Sequence, residues 1–408
     1  MNKFDFPEGF YWGAATASYQ VEGGIENNDW TKAAKEGRVP ECGMACDHYH
    51  RYVEDFDIAK ELGHNAHRLS VEWARIEPEA GRFDEAAINH YREVLKALKA
   101  RGIKPFVTLW HFTLPLWFSE SGGFERKDSP EVFAEYCAYV VSKLGDLCDH
   151  FTPINEPDVY ATHAYLYGSR PPFKAVRIFG IKIGKDYGHK TNRRTLRFMN
   201  FFNFLKVKNN LVRAHIHAYD AIKSVAPNAE VSVAKHVRYF SANKNPIYRL
   251  IASIAQYIQS GWFLWGVNKK IDVIGLNYYR STHFGGNYSY DMTDIGWKVT
   301  PWDIYGALIY LKRFQKPIII MEAGLADQHD KDRADYIEKQ VKATWEAIDD
   351  GADVRGHFYW SLLDNYEWDD GFGMRFGLVE IDYTSMKRTI RPSAYVYKEI
   401  CESNAVIK

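Results

Sequence analysis

Short apolar runs alternate along the chain with longer segments whose apolar positions recur every three or four residues. That alternation is the mark of βα units feeding a parallel sheet. The runs predict strands over 10–18, 66–73, 104–110, 150–155, 230–236, 271–279, 316–322 and 354–363. Between them, 85–101 (EAAINHYREVLKALKAR) reads as an amphipathic helix. Gly102 stops that helix and Lys104-Pro105 opens the next strand. Eight strands is the number that closes a (β/α)8 TIM barrel, so the fold class is α/β. No linker, low-complexity tract or internal repeat interrupts the pattern, which assigns residues 1–408 to one domain.

In such a barrel, catalysis sits at the C-terminal ends of the strands. Those ends carry Gln20 and Glu22, Arg68 and Glu72, His111, Asn155-Glu156, Asn277 and Tyr279, Glu322, and Trp360 with Glu367-Trp368. Strand interiors are Val, Ile, Leu and Ala, and a barrel with no chemistry to perform needs no polar cluster at one end. Two carboxylates stand out, Glu156 after the fourth strand and Glu322 at the end of the seventh. Glycoside hydrolysis needs such a pair, one to protonate the leaving oxygen and one to attack or to activate water. A single strand-end Glu is better explained as a solvated loop carboxylate or a salt-bridge partner. Two of them, each set among polar and aromatic residues, shift the balance.

Composition alters this picture little. The 52 basic and 52 acidic residues cancel, so nothing global points to nucleic acid or to an anionic membrane. Aromatic residues make up 15%, including 12 Trp and 27 Tyr. They suit the C–H faces of sugars, though core filling alone accounts for such a fraction. Five cysteines cannot all pair, and their scatter reads as reduced thiols in a cytoplasmic protein. No signal peptide is visible, and no apolar run reaches the length of a transmembrane helix.

One stretch is unusual: residues 170–208 hold 11 Lys or Arg and one acid, Asp186, interleaved with seven Phe or Tyr. A membrane-surface or polyanion contact is one reading. The favoured one is a long βα insertion whose aromatics pack down and whose charges face water. Cys42, Cys46, His48 and His50 form a C-x3-C-x-H-x-H cluster, too compressed for four zinc ligands, so no metal is expected there.

At the strand-end residues the chain resembles a family 1 glycoside hydrolase, the β-glucosidase and β-galactosidase family, over nearly its whole length. The matching stretches are FPEGFYWGAATASYQVEG (6–23), DHYHRYVEDFDIAKELG (47–63), RLSVEWARI (68–76) and TLWHFTLPLWF (108–118). TPINEP (152–157), IGLNYY (274–279), MEAG (321–324), WSLLDNYEW (360–368) and FGLVEID (376–382) follow. A lone Asn-Glu-Pro is weak; the ordered set is specific.

The resemblance implies a retaining β-glycosidase without cofactor or metal, with Glu156 as acid/base and Glu322 as the nucleophile of a covalent glycosyl-enzyme. It further implies that Asn155 holds the sugar 2-OH. Gln20, His111, Glu367 and Trp368 would bind the other hydroxyls, with Trp360 as the platform under the ring. Arg68 and Tyr279 would flank the nucleophile, and Asn277 would support the pair. Trp297, in a GWKVTP stretch, is the one aglycone-side candidate, and packing explains it nearly as well. Expected substrates are small β-linked oligosaccharides and aryl or alkyl β-glycosides of glucose, and of fucose or galactose.

Glu367 argues for unphosphorylated sugars, since a carboxylate repels a phosphate. Glu156 argues against the thioglucosidases, which have Gln there. The chain departs from the family at Ala323, where Asn is usual, at Phe112 for Trp, and at His67 for Phe or Tyr. It is also shorter than most members, which implies trimmed loops around the aglycone subsites. Two alternatives stay open: transglycosylation through the same intermediate, and a non-catalytic sugar-binding barrel. Both carboxylates are intact, which counts against the second.

Overall fold

A computed structural model describes residues 3–178, 181–182, 198–286 and 289–407. Eight parallel strands close a barrel: β1 (Tyr11–Ala15), β2 (Ala66–Ser70), β3 (Lys104–Trp110), β4 (His150–Ile154), β5 (Glu230–His236), β6 (Val273–Tyr278), β7 (Ile318–Ala323) and β8 (Val354–Trp360). Each pairs with its neighbours in chain order, and β8 closes onto β1. Every one of the eight predicted strands is present. The prediction overran by three residues at three C-terminal ends, where β1 stops at Ala15, β2 at Ser70 and β8 at Trp360. There the backbone leaves the ladder and side chains take over. Ser70 Oγ accepts the Ser18 N–H at 2.7 Å, and Glu72 accepts from Ser18 and Thr113 hydroxyls at 3.0 Å.

A principal helix follows each strand: α1 (His48–Glu61), α2 (Glu85–Ala100), α3 (Ser129–Leu144), α4 (Phe198–Val225), α5 (Pro246–Gln256), α6 (Ile304–Lys312), α7 (Arg333–Asp349) and α8 (Pro392–Ser403). The predicted helix over 85–101 is α2, capped by Asp84, whose carboxylate accepts the Ala86 and Ala87 N–H groups. Alternation along the strands divides the core into two layers. On β7, Ile318 and Ile320 face the helices, whereas Ile319 and Met321 join Phe106, Phe358 and Ala66 inside the barrel. The barrel is tight enough to demand glycine at one point: a Cβ on Gly13 would stand 1.9 Å from the Ala66 carbonyl oxygen.

The middle of the basic segment 170–208, residues 179–180 and 183–197, lies outside the described residues. Its described ends bear on both readings. Arg170 pairs with Asp369 at 3.3 Å, Lys208 pairs with Asp158 at 3.0 Å, and Lys174 pairs with Glu125. Phe173 packs under the Arg38 guanidinium, 3.4 Å from the ring centre. Each of these cations faces a protein acid, and Arg170 and Lys208 are largely withdrawn from water. Among the described residues no helix is long and apolar enough to cross a membrane.

Behind the last strand, buried Asp364 accepts both ends of Arg391 at 2.9 and 3.0 Å, the Gly377 N–H at 2.9 Å and Arg375 at 3.2 Å. This pins the loop that carries Glu367 and Trp368. Removing one partner of a buried pair strands the other, at a cost of about 3–5 kcal/mol. Asp364→Ala is therefore expected to lower unfolding stability by about that amount in a denaturant titration. A loss below about 1 kcal/mol contradicts this account of the loop.

Candidate active site

The C-terminal ends of the strands converge on one buried polar cluster. Glu322 is placed there by a bulge: Leu276 pairs with Ile320, but the next residue, Asn277, pairs with Glu322. The extra residue in β7 breaks the strict alternation, so Met321 and Glu322 both turn toward the barrel axis. Glu156 arrives differently. Its N–H still donates to Ala234 O at 2.7 Å, while its backbone turns left-handed, φ 46° and ψ 56°, before Pro157 opens a short helix. Phe112 and Trp368, on other rims of the same mouth, also have positive φ. Such conformations cost a residue with a Cβ about 1 kcal/mol and collect where a site dictates the backbone.

A continuous hydrogen-bond chain joins the two carboxylates. Arg68 Nη1 donates to Glu322 Oε1, and the Tyr279 hydroxyl donates to Glu322 Oε2 at 2.6 Å. Arg68 Nη2 donates to Asn155 Oδ1 at 2.7 Å, and Arg68 Nε is fixed by Thr108 at 3.0 Å. Asn277 Nδ2 reaches Asn155 Oδ1 at 3.2 Å and Glu156 Oε1 at 2.9 Å. Both carboxylates are buried, but they are treated differently. Burial first, and then the negative Glu322, push Glu156 up to about 7; the Asn277 bond opposes them. Glu322, by contrast, has a guanidinium and a phenol donating to its two oxygens.

The remaining predicted residues form the wall. His111 is neutral, held well below its usual range by burial and then by Arg68. Its Nε2 lies 3.2 Å from Asn155 Nδ2, so it is the acceptor there and Nδ1 carries the proton. Neither His111 Nδ1 nor Gln20 Oε1 has a partner among the described residues, although both are buried. The His111 ring is nearly parallel to those of Trp360 and Trp368, at 6.0 and 5.9 Å. Gln20 Nε2 donates to Tyr366 O at 2.7 Å and to Asn365 Oδ1 at 2.9 Å, with Glu367 Oε1 at 3.4 Å. Trp360 Nε1 donates to Glu367 at 3.1 Å. Trp297 stands edge-on to Tyr279 at 5.6 Å, under the Arg280 guanidinium.

Sequence reasoning missed Arg170. It sits in the basic segment whose charges were expected to face water, yet its side chain is only 17% exposed. Its guanidinium lies 5.6 Å from the Phe112 ring and 5.9 Å from those of Trp30 and Trp368, and it lowers both Glu156 and Glu367. The local sequence gave no hint, since one cation among eleven carries no direction. Lys235 and Asp158 were missed too. They form a buried ion pair at 3.1 Å, and the lysine charge lowers Glu156. Of the noted departures, His67 is buried and neutral, 3.1 Å from the Thr16 hydroxyl. The four Cys and His side chains of the compressed cluster go to separate partners: Tyr19 O, Asp364 O, Asp55 and Asp47.

Two buried carboxylates at the ends of β4 and β7, each with its own set of donors, define a glycosidase barrel. The sequence model of glycosyl hydrolase family 1 matches residues 2–267 and 268–406, and the chain belongs to that family. It is a β-glycosidase. It is 31% identical to β-glucosidase A of Thermotoga maritima over the full length of both chains. Against the β-galactosidase of Saccharolobus solfataricus it is 29% identical, over 99% of this chain and 96% of that protein. Its fold superposes on the β-glycosidase from Pyrococcus horikoshii with a TM-score of 0.88 and 34% identity, covering 100% and 97% of the two chains. It superposes on the Thermotoga maritima β-glucosidase in complex with glucoimidazole at 0.87 and 28%, covering 98% and 99%.

Proposed function

We propose that the enzyme cleaves β-glycosides with retention, Glu322 attacking the anomeric carbon while Glu156 protonates the departing oxygen. The observation that carries this is the asymmetry of the pair. Glu156 is held near neutrality as an acid, and Glu322 is braced by Arg68 and Tyr279. After the first step Glu322 is esterified and its charge is gone. The pressure that raised Glu156 relaxes, and it becomes the base that takes a proton from the incoming water. Asn155, fixed by Arg68 and Asn277, presents its amide to the sugar beside the reacting carbon. Gln20, His111, Glu367 and Trp368 would take the other hydroxyls, with Trp360 beneath the ring and Trp297 on the leaving-group side.

The substrates are small β-linked oligosaccharides and aryl or alkyl β-glucosides, with β-galactosides or β-fucosides accepted as well. Relatives named β-glucosidase and β-galactosidase both support this range. Transglycosylation uses the same intermediate, and no feature favours it over hydrolysis. The preference for unphosphorylated sugars needs a different footing from simple repulsion. Burial raises the Glu367 carboxyl to about 8, so in the free enzyme at pH 7 it is mostly neutral. Five buried cysteines without a disulfide support a reducing, cytoplasmic setting.

A panel of nitrophenyl β-glycosides of glucose, galactose, fucose, mannose and glucose 6-phosphate tests the reading. Turnover of the glucoside, with the galactoside or fucoside, is expected. Exclusive turnover of the phosphosugar would overturn the substrate assignment.

The pH profile follows from Glu156. Its protonated form is the active one, so kcat/KM should fall as pH rises through about 7. Removing the Glu322 charge takes away a cause that raises the group, so in Glu322→Gln the Glu156 titration should move to lower pH. Carboxyl titration followed by NMR checks the sign, and an upward move contradicts it.

A further inference from the structure

A second cavity, of about 260 Å³, opens beside the mouth of the barrel. The short helix Asp29–Lys35, the turn over 119–125 and the segment 171–174 form its sides. Among the described residues, none that lines it belongs to the Glu156 and Glu322 cluster. The two sites are nevertheless neighbours. Asp29 lines the cavity, while Trp30 packs against Trp368 with ring centres 4.6 Å apart. Tyr160 lines it from the short helix Pro157–Ala161, which begins directly after Glu156.

Two buried polar groups on its wall are prepared for a partner. Tyr160 is only 4% exposed, yet its hydroxyl makes no hydrogen bond to any described residue. Native folds rarely leave a buried hydroxyl unmet. Asp29 is 8% exposed and gives Oδ1 to the Leu114 N–H at 2.9 Å. Burial raises its carboxyl to about 8, so at pH 7 it is mostly protonated and holds an O–H to donate.

Charge decides against an ion. Lys32 pairs with Glu120 at 2.6 Å, and Lys174 pairs with Glu125. Arg38 stands 4.0 Å from Glu36 and lies over the Phe173 ring. Every charged side chain lining the cavity, the largely neutral Asp29 apart, therefore has its counter-charge on the same wall. What the wall leaves over is hydroxyl and carboxyl hydrogen bonding, next to the apolar surface of Leu114, Tyr165 and Phe173. A ring with hydroxyls on its rim and C–H groups on its faces meets both demands.

We propose that this cavity is an accessory binding site for one neutral pyranose, separate from the catalytic cluster, with the Tyr160 hydroxyl and Asp29 as its hydrogen-bonding anchors. The ring arrives either as a free sugar or as the far unit of a longer β-linked chain. The chemistry that is recognised is the same in both cases.

Equilibrium dialysis with radiolabelled glucose tests this, using full-length enzyme whose catalytic site is blocked by a 2-deoxy-2-fluoroglucosyl group. The blocking step rests on the glycosidase reading, so failure to label Glu322 counts against that reading. Labelled enzyme that takes up no glucose counts against the cavity. Uptake of one glucose per labelled chain is expected. Tyr160→Phe should weaken that uptake about fivefold without lowering unfolding stability, because the hydroxyl it removes has no partner. Phe173→Ser should weaken it as well. Unchanged uptake in both variants overturns the proposal and leaves an ordered water as the partner of Tyr160. Where uptake is lost, the KM values of Tyr160→Phe separate the two sources. A rise for a β-linked tetrasaccharide but not for a nitrophenyl glucoside assigns the site to a chain substrate, and no rise for either assigns it to free sugar.

Discussion

Replacing Glu322 by Gln is expected to lower kcat/KM on a nitrophenyl β-glucoside by about 10⁴-fold or more, some 5 kcal/mol of transition-state stabilisation. The substitution is close to isosteric, and an amide oxygen in the place of Oε1 still accepts from Arg68, so the buried guanidinium keeps a partner, while the amide nitrogen in the place of Oε2 no longer accepts from Tyr279. What disappears is the carboxylate that, in the proposed mechanism, bonds to the anomeric carbon and sets a negative charge against the developing oxocarbenium. Both losses fall on the transition state, so kcat drops and KM changes little. Glu322→Gly makes room for an external anion. Added azide should then restore turnover and yield the glycosyl azide of opposite anomeric configuration. Rescue with retained configuration would place the nucleophile elsewhere.

The second large effect is that of Glu156→Gln, and it depends on the leaving group. General acid catalysis is worth about 10²–10⁴-fold where the departing oxygen is a poor leaving group. A β-linked disaccharide should therefore lose activity by that factor. A dinitrophenyl glucoside, whose leaving group needs no proton, should keep its first step and stall at the second, which lacks a base. The expected signature is a burst of dinitrophenol followed by slow turnover. The fall in activity through about pH 7 should vanish in the variant, because the group that titrates there is gone. Equal losses on both substrates would contradict the role of Glu156 as acid.

The barrel itself was legible in the sequence because its strands are buried on both faces. Runs such as KPIIIME and IDVIGLNYY have no polar interruption until the strand ends, and that change marks the mouth. Gln20, Arg68, His111, Asn155, Asn277 and Glu367 could be named from those ends, and the structure gathers them into one cluster. Three things were not legible. The bulge that re-aims Glu322 and the left-handed turn at Glu156 are backbone events that strand periodicity does not encode. Arg170 looked like one more solvated cation, and only tertiary packing aims it at Trp368 and Phe112. The exposed stripe of Ile247, Leu250, Ile251 and Ile254 on α5 has the period of a core-facing helix, and period alone fixes which residues share a face, not the direction in which that face points. The case of Glu367 adds that a carboxyl in a sequence is not yet a charge, since burial holds it mostly neutral at pH 7.

The most direct test is to trap the intermediate. A 2-deoxy-2-fluoro β-glucoside with a dinitrophenyl leaving group slows both steps, the second more than the first, so the glycosyl-enzyme accumulates. Peptide mass spectrometry of the inactivated enzyme is predicted to place one fluoroglucosyl group on Glu322, with Glu156 unmodified. A label on any other residue, or α-glucose as the first sugar released from an unmodified β-glucoside, would contradict the account.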